Sequence, residues 1–159
     1  MTLTRPTRRA TLLGLTAMAA ASALPLRAQA PVGTVAVLKD PGCGCCEAWA
    51  DTLRAEGFVV TVEEADNDAM ERARIVGSVP GDLYGCHTGR MGELVIEGHV
   101  PAADILRLSA EAPDAAGLAV AGMPMGSPGM ETDGMRDAFD VVLWRRDGTT
   151  EVFASYPAA

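Results

Sequence analysis

The four cysteines of this 159-residue chain fall in two places: the run Pro41-Gly42-Cys43-Gly44-Cys45-Cys46, and Cys86-His87 further along. Three thiols sit within four positions, and the fourth is beside one of only two histidines. Cysteine used for general core packing would not be clustered this way. The pattern points to soft-metal binding or thiol redox chemistry. Cys43 and Cys46 have C-x-x-C spacing at an expected helix start. There, unpaired backbone N–H groups and the partial positive charge of the helix end favour thiolate over thiol. Thiolate is the form that attacks disulfides and binds metal. A redox pair needs one thiol to attack and one to resolve, so Cys45 is surplus to it and reads better as an additional ligand. A bond between the neighbours Cys45 and Cys46 would be strained. An exported chain with an even cysteine count could instead close two disulfides. Three cysteines in four residues make poor long-range staples, however.

Other donors stand nearby in type if not in sequence. Six of the eight methionines lie beyond residue 30, and four of those (Met123, Met125, Met130 and Met135) occur in one Gly/Pro-rich segment. Thioether is a soft ligand that suits Cu(I) better than zinc. The competing role is a loop lid that plugs an apolar surface. His87 suits a ligand, a proton relay or a hydrogen-bonded turn. His99, in Glu97-Gly98-His99-Val100-Pro101, stands just before a helix, where it could cap backbone groups or reach the site, the capping role being the favoured one. Trp49, one turn beyond Cys46, is expected in the core, where it would also shield the site from water. No Gly-rich phosphate loop, Ser-His-Asp set or catalytic carboxylate pair stands out.

The elements that must position these groups follow from local pattern. Thr34-Val35-Ala36-Val37-Leu38 is a β-branched apolar run that reads as a buried strand, and Asp40-Pro41-Gly42 breaks it. A helix is expected from about Cys43 to Glu56, with Cys46, Trp49 and Leu53 at helical spacing and Gly57 as its stop. Phe58 to Val62 reads as a second strand, Asn67 to Val76 as a second helix closed by Gly77, and Val79-Pro80-Gly81 as a turn. Leu83 to His99 reads as two short strands around a Gly-rich turn, clearest at Glu93-Leu94-Val95-Ile96-Glu97. Pro101 suits the first turn of a third helix, with Ala102, Ile105, Leu106 and Leu108 on its apolar side and Pro113 as its end. Gly117 to Gly134 reads as a loop rich in Gly, Pro and Met. Val141-Val142-Leu143-Trp144 and Glu151-Val152-Phe153-Ala154 flank Asp147-Gly148, a strong hairpin signal. The order β-α-β-α-β-β-α, with a Cys-bearing loop between the first strand and a helix start, predicts a single α/β domain of thioredoxin-like plan. A Met/Gly/Pro-rich loop and a C-terminal β-hairpin complete it.

Residues 1–30 read as an export signal rather than as fold. Arg5, Arg8 and Arg9 form a basic start, Leu12 to Leu26 is apolar, and Ala28-Gln29-Ala30 supplies a small-x-small cleavage site. The stretch Thr7 to Leu13 also resembles a twin-arginine signal. The apolar stretch is short and broken by Pro25 and Arg27, which argues against a stable membrane span. Cleavage leaves residues 31–159, one periplasmic domain with room for a hydrophobic core and no membrane span. Four of the 13 basic residues and none of the 21 acidic ones lie in residues 1–30, so nine basic residues face 21 acidic ones in the remainder. Such a surface repels nucleic acid and anionic membranes.

Several blocks, in order, resemble the CopG-like periplasmic copper-resistance proteins, long catalogued as a domain of unknown function. They are Asp40-Pro41-Gly42-Cys43-Gly44-Cys45-Cys46 with Trp49, Gly85-Cys86-His87-Thr88, Ile96-Glu97-Gly98-His99-Val100-Pro101-Ala102, and Gly117-Leu118-Ala119-Val120 with Gly122-Met123-Pro124-Met125-Gly126-Ser127-Pro128-Gly129-Met130-Glu131. The likeness implies a thioredoxin-like fold with a cysteine-bridged copper cluster and a role in copper redox or sequestration. Cys43, Cys45, Cys46 and Cys86 match the cluster cysteines, and His87 the adjoining histidine. The methionine loop matches a family signature. Gly89 stands where alanine is expected and Ala121 where proline is expected; neither change removes a candidate ligand.

The expectation is an exported copper-binding protein holding Cu(I), more than one ion, in a thiolate cluster, and open to copper oxidoreductase activity in copper resistance. Its candidate ligands are Cys43, Cys45, Cys46, Cys86, His87, Met123, Met125 and Met130. Its expected partners are copper ions and periplasmic copper chaperones or efflux components. Two other readings stand beside it. One is a periplasmic thiol–disulfide oxidoreductase using Cys43 and Cys46. The other is a structural zinc or iron–sulfur protein, although the usual motifs for those are two spaced cysteine pairs rather than C-x-C-C.

Overall fold

A computed structural model describes residues 31–111 and 114–159. Residues 1–30, expected to be an export signal, and the expected helix end at Pro113 lie outside the described residues. Strand β1 (Thr34–Lys39) leads into helix α1 (Gly44–Ala55), then β2 (Val59–Glu64), α2 (Asn67–Val76), a single 3-10 turn (Gly81–Leu83), β3 (His87–Met91), β4 (Leu94–Glu97), α3 (Ala102–Glu111), β5 (Gly117–Ala119), β6 (Phe139–Trp144) and β7 (Thr150–Tyr156). The strands form one seven-stranded sheet in the order β2-β1-β3-β4-β5-β6-β7. The β1/β2 and β4/β5 pairs are parallel, and the others are antiparallel. The molecule is thus mixed α/β, and the expected order β-α-β-α-β-β-α is the observed one as far as α3.

The period-two alternation of the strands builds a core on each face of the sheet. Ile96, Leu118 and Leu143 point to one side, where Val35, Val37, Trp49, Leu53, Ile105 and Leu108 join them. Their immediate neighbours Val95, Ala119 and Trp144 point to the other, against Val79 and Leu83. Helices α1 and α3 therefore cover the larger core, and the segment after α2 covers the smaller one. Trp144 closes the smaller core by donating its Nε1–H to Gly77 O at 3.2 Å. In α3, Ile105 and Leu108 are buried as expected, but Leu106 lies 37% exposed and is not a core residue.

Local chemistry explains most of the boundaries. Asp66 caps α2 by accepting from Ala69 N at 2.8 Å, and Gly77 ends it. Pro101 stands just before α3, its carbonyl accepting from Asp104 N and Ile105 N. Gly148, with φ +85°, turns the β6–β7 hairpin.

One expectation is corrected. Gly117 to Gly134 is not loop throughout, because Gly117–Ala119 forms β5, paired on both sides. Three residues opening on glycine carry too short a pattern to announce a strand, and the two neighbouring strands impose the extended backbone.

The rest of that segment is a folded loop. Ser127 is fully buried, its hydroxyl donates to Pro124 O at 2.7 Å, and Met130 N donates to Ser127 O at 2.8 Å. Met125 and Asp137 exchange two bonds of 3.0 Å, from Met125 N to the Asp137 carboxylate and from Asp137 N to Met125 O. Gly129, with φ +79°, lies so close to α1 that a Cβ there would overlap Trp49 N and stand 2.8 Å from Trp49 Cα. Gly129→Ala should therefore combine a left-handed backbone with overpacking and cost about 2 kcal/mol or more. Gly122→Ala, at φ +71° but with open space around it, should cost only about 1 kcal/mol. Denaturant unfolding of the two variants measures the difference; equal losses would mean that the loop does not press on α1.

Candidate metal centre

The two cysteine segments meet because β1 and β3 are antiparallel neighbours. Lys39, the last residue of β1, pairs with His87, the first of β3. Asp40 N donates to Cys86 O at 3.3 Å, extending the ladder by one bond. The chain then turns through Pro41-Gly42 into α1. Cys43 is the N-cap residue, with no side-chain cap bond, and Cys45 and Cys46 lie in the first turn. The turn is pinned from the side. Glu64 on β2 accepts from Lys39 Nζ at 3.1 Å and from Gly42 N at 3.4 Å. The bond from Lys39 holds the Glu64 carboxyl below its ordinary pKa.

The four sulfurs lie within 4.8 Å of one another. Cys43 and Cys46 are joined in a disulfide, and Cys45 and Cys86 are free thiols, each half-buried. Each free thiol touches one sulfur of the bridge: Cys45 Sγ is 3.5 Å from Cys43 Sγ, and Cys86 Sγ is 3.3 Å from Cys46 Sγ.

Behind Cys86 lies a second group. Its Sγ is 3.6 Å from His87 Nδ1 and 3.7 Å from His99 Nε2, and the three donors form a set of their own. Both imidazoles are fully buried. Their rings meet edge to face, with centroids 5.0 Å apart, and Trp49 packs against His87 at 4.3 Å. Trp49 is held in turn by its own Nε1–H bond to Val100 O at 2.9 Å. It is the core residue and water shield that its spacing predicts.

His99 is the functional residue underestimated by sequence reasoning. It does not cap α3. Its Nδ1 lies 2.8 Å from Pro128 O, and a carbonyl only accepts, so Nδ1 carries the proton. Nε2 then presents a bare lone pair to Cys86. A backbone carbonyl that fixes the tautomer in this way is a common support for metal-binding histidine. The signal for it was the Gly98-His99-Val100-Pro101 block, which is conspicuous but lies far in sequence from the cysteines. Among the described residues, His87 Nε2 is buried with no hydrogen-bond partner.

The methionines are placed less centrally. The side chains of Met123 and Met125 are 57% and 41% exposed, and that of Met130 is half-buried. Their loop reaches the site through Pro128 and Gly129.

The electrostatics favour neutral groups. Burial, reinforced by the neighbouring Cys45, pushes the Cys86 thiol up to about 12. Burial and the adjacent His99 push His87 down to about 3, and burial lowers His99 as well. The imidazoles are therefore uncharged, as metal ligation requires, whereas Cys86 must lose a proton to bind metal. Four sulfurs, with His87 Nδ1 and His99 Nε2 behind Cys86, make a soft donor set with a borderline edge. It suits copper or zinc and not a hard cation.

Fold and site together define a mixed α/β protein that gathers thiols, a disulfide and two histidines at one end of its sheet. Residues 83–130 match the family described as "Protein of unknown function, DUF411". No curated protein matches the chain in sequence. Two solved structures are similar to it over nearly their whole length. Form 1 of a copper resistance protein CopG is 44% identical with a TM-score of 0.74, covering 78% of this chain and 97% of that one. Form 2 has the same identity and score and covers 80% and 100%. The chain belongs to the CopG-like copper-resistance family.

Two predictions follow from the buried donors. In metal-free, disulfide-closed protein, a thiolate-selective reagent should modify Cys86 at a rate rising about tenfold per pH unit, with no plateau up to about pH 10. Mass-resolved alkylation checks this, and a plateau near the ordinary cysteine pKa of about 8.5 would contradict it. His87 gives the opposite dependence. Its folded pKa, about 3, lies below its ordinary 6.5, so between those values the unfolded chain binds a proton that the folded chain does not. Stability is therefore lost as pH falls through that window. Wild type should lose up to about 1.4 kcal/mol per pH unit more than His87→Phe does between about pH 6 and 4. Urea titrations at several pH values measure the slopes.

Proposed function

We propose that the protein binds copper as Cu(I) through Cys43, Cys45, Cys46 and Cys86 once the Cys43–Cys46 bond is reduced, with His87 and His99 as the donors behind Cys86. The observation that carries this is the convergence of four sulfurs within 4.8 Å in a chain 44% identical to a copper resistance protein. Thiolates prefer Cu(I), and bridging sulfurs let four of them hold more than one ion. Met123, Met125 and Met130 add soft thioethers on the loop that docks beside the site.

The disulfide gives this reading a redox dimension. Closing Cys43–Cys46 from two thiolates releases two electrons, enough to reduce two Cu(II) ions to Cu(I); opening it consumes the same two. Closure also removes two of the four sulfur donors, while Cys45, Cys86, His87 and His99 keep theirs. Binding and oxidation state are thereby coupled, and copper is the substrate. With residues 1–30 as an export signal, this chemistry sits in the periplasm, where such a bond persists, and copper chaperones or efflux components are its partners.

The bonded Cys43–Cys46 pair at a helix start also favours a second reading, a thiol–disulfide oxidoreductase. The two disagree about residues that a disulfide exchanger does not need. Reduced protein titrated anaerobically against a Cu(I) chelator should bind more than one Cu(I) per chain. Cys45→Ser and Cys86→Ser should each lower stoichiometry or affinity. Insulin reduction assayed on the same variants gives the counter-test. Copper binding unchanged in both, beside reductase activity that needs only Cys43 and Cys46, would replace the copper reading with the exchange reading. Stoichiometric zinc that copper does not displace would support a structural metal instead.

A further inference from the structure

A buried ion pair lies beside the site without contributing a donor to it. Glu97, at the end of β4, is fully buried, and Arg74 of α2 reaches it with a side chain only 13% exposed. Arg74 Nε donates to Glu97 Oε1 at 2.9 Å. The same oxygen accepts from Gly85 N at 2.8 Å, and Oε2 accepts from the Thr88 hydroxyl at 2.6 Å. Arg74 Nη2 then donates to Gly85 O at 2.6 Å. Both backbone polar groups of Gly85 are therefore tied to the pair, its N–H to the carboxylate and its C=O to the guanidinium. Arg74 also lies over the Tyr84 ring, 4.6 Å from its centroid. The turn packs closely on the backbone of Gly98, since a Cβ at Gly85 would stand 3.0 Å from Gly98 Cα. The next residue is Cys86.

Stability alone does not account for such a pair. Desolvating two charges costs about as much as their attraction returns, and replacing a buried pair with apolar side chains of similar size is often neutral or stabilising. What this pair does is geometric. It spans α2, the Tyr84–Cys86 turn, β3 and β4, and it leaves residue 85 a single orientation. Glu97 is also two residues from His99, and its own carbonyl accepts from Val120 N at 3.0 Å. The sulfur of Cys86 and the imidazole of His99 are thus referenced to one carboxylate.

We propose that Arg74 and Glu97 are positioning residues for Cys86: they lock the Gly85–Cys86 turn so that the Cys86 sulfur keeps its place between Cys46 and the two histidines whether the Cys43–Cys46 bond is open or closed. This rests on the copper reading only for the role of the positioned sulfur. The position itself can be read without metal.

In disulfide-closed protein Cys45 and Cys86 are the free thiols, so Cys45 is an internal control. The variant Arg74→Met/Glu97→Leu replaces the pair with apolar groups of similar size. Mass-resolved maleimide labelling of the metal-free variant should show Cys86 modified about tenfold faster than in wild type, with the Cys45 rate unchanged, and the reduced form should hold Cu(I) about tenfold more weakly, the low end of what losing an outer partner costs a metal site. Glu97→Gln keeps a carbonyl oxygen for Gly85 N and should restore the labelling ratio to within about twofold of wild type. If the double variant does not fold, Arg74→Lys serves: it keeps the charge but not the fork that spans Glu97 and Gly85 O, and it should also raise the Cys86-to-Cys45 ratio. An unchanged ratio in the folded variant would overturn the proposal, and so would both thiols speeding up together, which is general loosening. A changed ratio with unchanged copper affinity would leave the positioning intact and remove Cys86 from the copper set.

Discussion

The antiparallel pairing of β1 with β3 is the constraint on which the site depends. It puts the residue that ends β1 opposite the residue that begins β3. The CxCC segment leaves one strand at the level where Cys86 enters the other. Neither segment has the length or the side chains to find its partner alone. The sheet brings them together, and the ladder bond from Asp40 N to Cys86 O sets the approach to within one peptide unit. Everything else refines that approach. Glu64 and Lys39 hold the turn before Cys43, Trp49 fills the space under His87, and the methionine loop closes over α1 through Gly129, where a side chain would press on the Trp49 backbone.

Locally encoded features were legible in the sequence. The helix Asn67–Val76 carries its own cap and its own stop, so both ends could be placed. The C-x-x-C spacing and the Asp147-Gly148 hairpin are likewise written within a few residues. The features that were not legible are those defined by what lies across the fold. Strand β5 is extended because β4 and β6 flank it, and its residues Gly117-Leu118-Ala119 say little by themselves. Leu106 fits the apolar side of α3 by spacing, yet faces out because the core ends at Ile105 and Leu108. His99 looked like a helix cap because its sequence neighbours are Val100 and Pro101. The group that decides its role, Pro128 O, is 29 residues away, and no local pattern reports that carbonyl. The joining of Cys43 and Cys46 with Cys86 was open to anticipation from the residue types, but the depth of the imidazoles behind Cys86 was not.

Burial sets the chemical character of this end of the molecule. A low-dielectric pocket penalises charge, so the histidines stay neutral and Cys86 keeps its proton until something replaces it. A cation that binds there supplies the compensating charge, and each thiol it engages releases a proton. Affinity must then rise with pH, and the apo site resists adventitious thiolate reactions that an exposed cluster would suffer. The acidic balance of residues 31–159 acts at longer range. It raises the local concentration of cations of any kind and contributes nothing to the choice among them. That choice rests with the sulfurs.

The arrangement of the sulfurs ties the proposed copper binding to the chemistry of the disulfide. Each sulfur of the Cys43–Cys46 bond has a free thiol in contact, Cys45 on one side and Cys86 on the other. Contact alone would permit exchange, which needs a thiolate to attack. Cys86 is the thiol least able to supply one, because burial holds its proton. The closed bond is thus shielded from its own neighbour on that side, and under the proposed function it would serve as a two-electron store. When the bond opens, the same four sulfurs become the donors that a soft ion requires. Under the proposed function, the geometry of the oxidised state and the geometry that would bind metal in the reduced state are one arrangement. It differs only in whether two of its sulfurs are joined to each other or shared with an ion.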